Sequence, residues 1–132
     1  MIQLTPEMKA LVTNHQCFHA TVSKDGLPNI APKRSTRVLN DSTLVFNEGV
    51  GGTTYHNILD GSKVAVAVVN REVMDGFRFI GTPEVVTEGE LYEKSAEMSI
   101  KAGMRKPIAV IKVHIEEIHS LKPGPLAGKK IS

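Results

Sequence analysis

Gly49-Val50-Gly51-Gly52-Thr53-Thr54 is the stretch of this sequence best suited to hold a ligand. Glycines permit a turn in which several backbone N–H groups point at one anion, threonine hydroxyls add donors, and a helix beginning there presents the positive end of its dipole. The pattern lacks the Gly-Lys-Ser/Thr of a Walker loop and the spacing and βαβ surroundings of a dinucleotide fingerprint. A glycine-rich turn followed by a threonine N-cap accounts for the same residues. Upstream, Lys33-Arg34-Ser35-Thr36-Arg37 supplies cations and hydroxyls. In an extended strand Lys33 and Ser35 share one face while Arg34 and Thr36 share the other. A lysine and a serine turned toward the glycine loop would clamp a phosphate, and a solvated basic strand is the plain alternative.

The other reactive residue types offer less. His15 and His19 fall on one face of either a helix or a strand, but no carboxylate faces them to complete a metal site. His114 and His119 are predicted on opposite faces of a strand, as are the surface charges Glu116 and Glu117, and His56 in an exposed helix. Cys17 is the only cysteine. It excludes an internal disulfide or thiolate cluster, has no activating partner in sequence, and reads as a buried thiol. No Gly-x-Ser-x-Gly nucleophile elbow is present. Binding groups without an acid, base or nucleophile suit a protein whose cofactor carries the reactivity.

The chain around these residues has 132 positions, 41% hydrophobic and 23% charged, with a net charge of +2. That composition predicts a single globular domain and excludes collagen-like, disordered and disulfide-scaffold classes. A surplus of two charges is too small for the phosphate neutralisation of nucleic-acid binding. The longest apolar run, Val64 to Val69, falls far short of the ~18 residues of a membrane span, and no basic-then-apolar leader opens the chain. A reducing cytoplasm is the expected location.

The positioning elements follow from local pattern. Thr5-Pro6 starts a short helix reaching about Asn14. Cys17 to Ser23 is a strand turning at Lys24-Asp25-Gly26, and a second arm, Asn29 to Leu39, carries Pro32, which marks an edge, a bulge or a ligand-facing stretch. Thr43 to Phe46 is a third strand. Thr53 or Thr54 caps a helix that stops at Asp60-Gly61, and Lys63 to Asn70 reads as a strand buried on both faces. Phe77 to Thr87 is a fifth strand with a bulge or bend near Gly81 and Pro83. A helix from about Gly89 to Ala102 and a last strand, Ile108 to Ile118, precede an irregular tail, 121–132. Strands dominating over inserted helices predict a mainly β fold, a six-stranded antiparallel barrel, closed or half-closed.

This order of elements resembles the pyridoxamine 5'-phosphate oxidase-like, FMN-binding split-barrel family, above all its small stand-alone FMN-binding proteins. The resemblance is carried by Asp25-Gly26-Leu27-Pro28-Asn29, Ala31-Pro32-Lys33-Arg34-Ser35, Val45-Phe46-Asn47, Gly49 to Thr54 leading into Tyr55-His56-Asn57-Ile58, and the apolar Val64 to Val69. It implies a Greek-key split barrel over 1–132. Lys33, Ser35, Thr53 and Thr54 would hold the FMN phosphate, with Arg34 nearby. Backbone at Pro32, Lys33, Glu48, Gly49 and Val50 would meet the ribityl chain and isoalloxazine, with Phe46 and Asn47 along the ring wall. It further implies a homodimer with flavin at the interface, the pocket completed by Phe77 to Gly81 and the tail of the second subunit. A nicotinamide nucleotide or a redox partner protein would reduce the flavin in an oxidoreductase or electron-transfer role. Ala31 stands where the oxidases proper carry an arginine, glycine and threonine replace a basic pair, and their C-terminal arginine and histidine motif is not recognisable. These departures point away from pyridoxamine phosphate oxidation itself. The same barrel could instead serve as a non-catalytic flavin store or sensor, or carry haem or a deazaflavin, where His15, His19 or His56 would matter.

Overall fold

A computed structural model describes residues 2–132. Helix α1, Pro6–Asn14, begins at a capping box in which the Thr5 hydroxyl accepts from the Met8 amide, and it buries Met8, Leu11 and Val12. There follow β1 (Cys17–Val22), β2 (Pro28–Pro32), β3 (Arg37–Asn40), β4 (Thr43–Glu48), α2 (Thr53–Leu59), β5 (Val64–Asn70), β6 (Asp75–Val86), α3 (Glu90–Lys101) and β7 (Ala109–Ser120). No helix among the described residues is long and apolar enough to cross a membrane.

The strands number seven, not six, because the expected arm from Asn29 to Leu39 is broken in two. Pro32 cannot donate to a ladder, and just beyond it the Thr36 amide and hydroxyl both turn back onto the Lys33 carbonyl, at 3.2 and 2.7 Å. All pairings are antiparallel, in the order β2-β1-β5-β6-β7-β4-β3. The meander β5-β6-β7 with β4 returned beside β7 is a Greek key. The two edge strands, β2 and β3, are consecutive in the chain. Laid flat, seven strands would hold their edges ~29 Å apart. The link from Pro32 to Arg37 spans at most roughly 18 Å. The sheet therefore rolls up, and because β2 and β3 do not pair, the barrel is split rather than closed.

Leu44 and Phe46 of β4, Val64, Val66 and Val68 of β5, Phe79 of β6 and Ile111, Val113 and Ile118 of β7 fill the interior beneath α1. Helix α3 lies outside the barrel, where Tyr92 and Ala96 cover Val45 of β4 and Val110 of β7. The doubly buried strand is thus β4 rather than β5, whose outward Ala65 and Ala67 are only half-buried and whose Val69 is 52% exposed. Nothing among the described residues lies over the outer face of β5 as α3 lies over β4.

The bend near Gly81 is a bulge on the partner strand. Ile80 pairs with Glu117 and Gly81 with Ile115, which leaves Glu116 unpaired. The extra residue shifts the side-chain phase of β7. Ile115 and Ile118 both point inward, and His114 and His119 stand together outside, not on opposite faces as alternation predicts. Glu116 and Glu117 are likewise both outside, bonded to Lys63 and His119. A Cβ at Gly81 would collide with the His114 carbonyl. Gly81→Ala should cost about 2–3 kcal/mol, read as a lower urea midpoint with an unchanged slope. The tail is not loose: it folds back so that Ile131 donates to the Ile118 carbonyl (2.8 Å) and Lys130 pairs with His119, covering the edge of β7 that β4 leaves open.

Candidate functional site

The break after β2 brings Lys33 against the end of β4. Its ammonium lies 3.3 Å from Glu48 Oε1, with side-chain exposures of 18% for Lys33 and 2% for Glu48. The second carboxylate oxygen accepts from the amides of Val50 (3.4 Å) and Gly51 (3.2 Å). The loop does cradle an anion, and that anion is the chain's own Glu48. Sequence reasoning assigned only the Glu48 backbone to the site. The side chain's part is signalled only by its position, since a carboxylate one residue before a glycine-rich turn can readily reach back to the turn's amides.

Lys33 and Ser35 do not share a strand face, because residues 33–36 form a turn. Ser35 Oγ instead accepts from the Asn47 amide at 2.8 Å, pinning the turn to β4. Arg37, placed at the start of β3, donates to the Ser35 carbonyl (2.9 Å), Asn47 Oδ1 (3.3 Å) and Ser95 Oγ (2.7 Å), and Asn47 Nδ2 donates to Ser99 Oγ at 3.1 Å. Burial pulls the Arg37 pKa below its usual value. Ser35 and Asn47 are thus tied into the seam between the sheet and α3. Arg34 is exposed on the turn, and Pro32 is exposed at the end of β2.

Helix α2 is capped by Gly52 rather than by a threonine, so Thr53 and Thr54 are its first two residues. Thr53 is exposed, while Thr54 is buried and its hydroxyl accepts from Asn29 Nδ2 at 3.1 Å. Asn57 Nδ2 donates to Thr21 Oγ1 at 3.0 Å, so the inner side of α2 is joined to β1 and β2 by polar contacts. Gly49 is half-buried and Val50 is 73% exposed. The Phe46 side chain is fully buried in the core and presents no wall to a ligand.

Phe46 packs edge-on against His19, with ring centroids 4.4 Å apart. Thr36 Oγ1 spends its proton on the Lys33 carbonyl, so it must accept from His19 Nε2, 2.8 Å away. That fixes the Nε2–H tautomer and leaves His19 Nδ1 as the one buried side-chain polar atom without a partner among the described residues. Burial, aided by the Lys33 charge, pushes the His19 pKa down to about 3. Burial likewise raises the Cys17 thiol to about 11. Near neutral pH the His19 imidazole is therefore uncharged and the Cys17 sulfur a thiol rather than a thiolate.

Residues 4–122 match the family model for pyridoxamine 5'-phosphate oxidase. The uncharacterized protein MJ0282 of Methanocaldococcus jannaschii is 38% identical over the whole of this chain and 90% of its own length. The crystal structure of HupZ from Group A Streptococcus is similar with a TM-score of 0.84 at 43% identity, over 95% of this chain and 99% of that one. An FMN-binding protein from Syntrophomonas wolfei shares the fold at 18% identity, with a TM-score of 0.72 over 86% of this chain and 82% of its own.

Proposed function

The chain belongs to the pyridoxamine 5'-phosphate oxidase family, and on that footing we propose that it is an FMN-binding homodimer that serves in electron transfer or as a small flavin oxidoreductase. The observation that carries this reading is a cation-bearing turn set beside a cysteine and a histidine that are both buried and uncharged. Lys33 and Arg34 can meet a phosphate, while the Cys17 thiol and the His19 imidazole are held neutral by burial. When bound, the flavin supplies the hydride or electron chemistry. The chain's own residues bind and orient it: the 33–34 turn faces its anionic end, and the backbone from Glu48 to Val50 lies beside its polar chain. The sequence departures, Ala31 in place of an arginine and a glycine and threonine in place of a basic pair, weigh against pyridoxamine phosphate as substrate.

The outer face of the sheet supports the homodimer. Ile30, Ala20, Ala65 and Ile80 stand side by side across β2, β1, β5 and β6, flanked by Phe18, Val22 and Val69. Ile30 is 67% exposed and Phe18 44%. A continuous apolar sheet face of this breadth is unusual on a monomer. A second copy of the chain would give β5 the covering layer that α3 gives β4.

The visible spectrum of protein purified without added cofactor tests the reading. Bands near ~370 and ~450 nm, with FMN released on heating, are expected of a bound flavin. A colourless protein that fails to take up added FMN overturns it. A haem or deazaflavin spectrum would replace FMN by that chromophore; His19, sealed in the barrel, is then unavailable as a ligand, whereas His15 and His56 lie at the surface. Bleaching of the flavin by NADH or NADPH distinguishes an oxidoreductase from a store or sensor.

A further inference from the structure

We propose that the C-terminal tail is fastened over the outer edge of β7 by a pH-sensitive clasp centred on His119, and that a proton taken up by this imidazole releases the tail and uncovers the edge. The clasp does not depend on the flavin reading.

The tail covers a stretch of β7 that the sheet leaves unpaired, since β4 runs alongside only as far as His114. Beyond it the Gly128 amide donates to the Ser120 carbonyl (2.7 Å), Ser120 donates back to Lys129 (3.0 Å), Ile131 donates to Ile118 (2.8 Å) and Ile118 to Ser132 (3.0 Å). Little apolar burial supports these bonds: Leu126 is 56% exposed and Ile131 42%. A segment held by exposed backbone bonds with few apolar contacts opens locally at low cost, so one further tie can decide whether it stays down.

That tie is Arg78 of β6, paired in register with His119. Its Nε donates to His119 Nδ1 at 2.9 Å, and its Nη2 reaches past the ring to the Gly128 carbonyl at 3.2 Å. A guanidinium nitrogen only donates, so Nδ1 must be the ring's acceptor, and Nε2 carries the proton that goes to Glu117 Oε1, 3.0 Å away. The clasp therefore closes around a neutral imidazole. Histidine is the side chain whose charge ordinarily changes between pH ~5 and 8. A proton on Nδ1 sets N–H against N–H and brings two cations into contact on a ring that is 15% exposed. The charged groups facing it are Arg78 from β6, Glu117 from β7 and Lys130, its cross-strand partner on the tail. Only Glu117 favours the imidazolium, and it bonds Nε2 in either state. Arg78 must swing away, and the Gly128 carbonyl loses its side-chain donor. The freed edge presents the backbone groups of Ile118 and Ser120 to solvent.

Amide hydrogen exchange of the full-length chain, expressed as protection factors, tests the clasp. Between pH ~7.5 and ~5.5 protection at Ser120, Gly128 and Ile131 should fall at least about tenfold relative to Val66 in β5, which separates tail release from any loss of global stability. His119→Gln, which can accept from Arg78 but not take up a proton, should hold the same relative protection at both pH values. Arg78→Gln should lower it already at pH ~7.5. The ring nitrogen shifts of His119 in the unsubstituted chain need no variant and should show the Nε2–H tautomer at pH ~7.5. Equal tail protection at both pH values, an undiminished loss in His119→Gln, or an Nδ1–H ring would each overturn the proposal.

Discussion

Ala20→Glu should leave the proposed dimer a folded monomer and, in the same step, abolish retention of the proposed FMN. Ala20 sits at the middle of the outward apolar row, opposite Ile30 on one side and Ala65 on the other. In a dimer covering this face the new carboxylate would be buried without a partner, at a cost of about 3 kcal/mol or more, which is over a hundredfold in the dimer dissociation constant. In the isolated subunit the same side chain reaches water, so the thermal midpoint of the monomer should move little. Light scattering coupled to size exclusion reads the mass, and circular dichroism confirms the fold. A wild-type protein that runs as a monomer, or a variant that stays dimeric, would show that this face is not the interface. Loss of FMN together with the dimer is expected because the resemblance places the flavin between subunits.

The second large effect is acid sensitivity from His19. Its imidazole is neutral in the folded protein, with a pKa of about 3 caused first by burial and then by Lys33. An unfolded chain takes up that proton at its ordinary value near ~6.5. Between these values the unfolded state binds more protons, so stability rises with pH across the interval and is lost as pH falls. The loss approaches about 1.4 kcal/mol per pH unit below ~6.5, or roughly 2–3 kcal/mol by pH 4.5, and above pH ~7.5 this group contributes no further change. Urea unfolding at pH 7.5 and pH 5 measures it. His19→Gln, whose amide can still donate to Thr36, should flatten the dependence between pH 6.5 and 5. Equal wild-type stability at pH 7.5 and pH 5 would mean that His19 titrates normally and is not sealed in the barrel.

Much of the architecture was legible because it is written in short-range chemistry. Thr5-Pro6 set a helix start through a side-chain cap and a fixed φ, Gly26 set a hairpin turn through its positive φ, and Gly81 marked the bulge because no side chain fits beside the His114 carbonyl. The family resemblance was legible for the same reason, as an ordered series of local motifs. The candidate site was legible only in part: Lys33, Glu48, Val50 and the glycines were picked out, but their mutual arrangement was not.

The sequence by itself determined most of the secondary elements, a mainly β antiparallel class, and a local supply of cations and donors without a nucleophile. Only the tertiary structure decided that Glu48 occupies the glycine loop, that Ser35 and Thr54 are spent on internal bonds, and that His19 is sealed against Phe46. It also decided that β4 is covered on both faces while β5, the more apolar of the two, is covered on one. The physical reason is that periodicity reports which side chains avoid water, not what lies over them, and that a polar group's partner is set by how the chain returns upon itself. A turn of four residues joining the two edges of the sheet brings Lys33 beside Glu48, fifteen positions away in sequence.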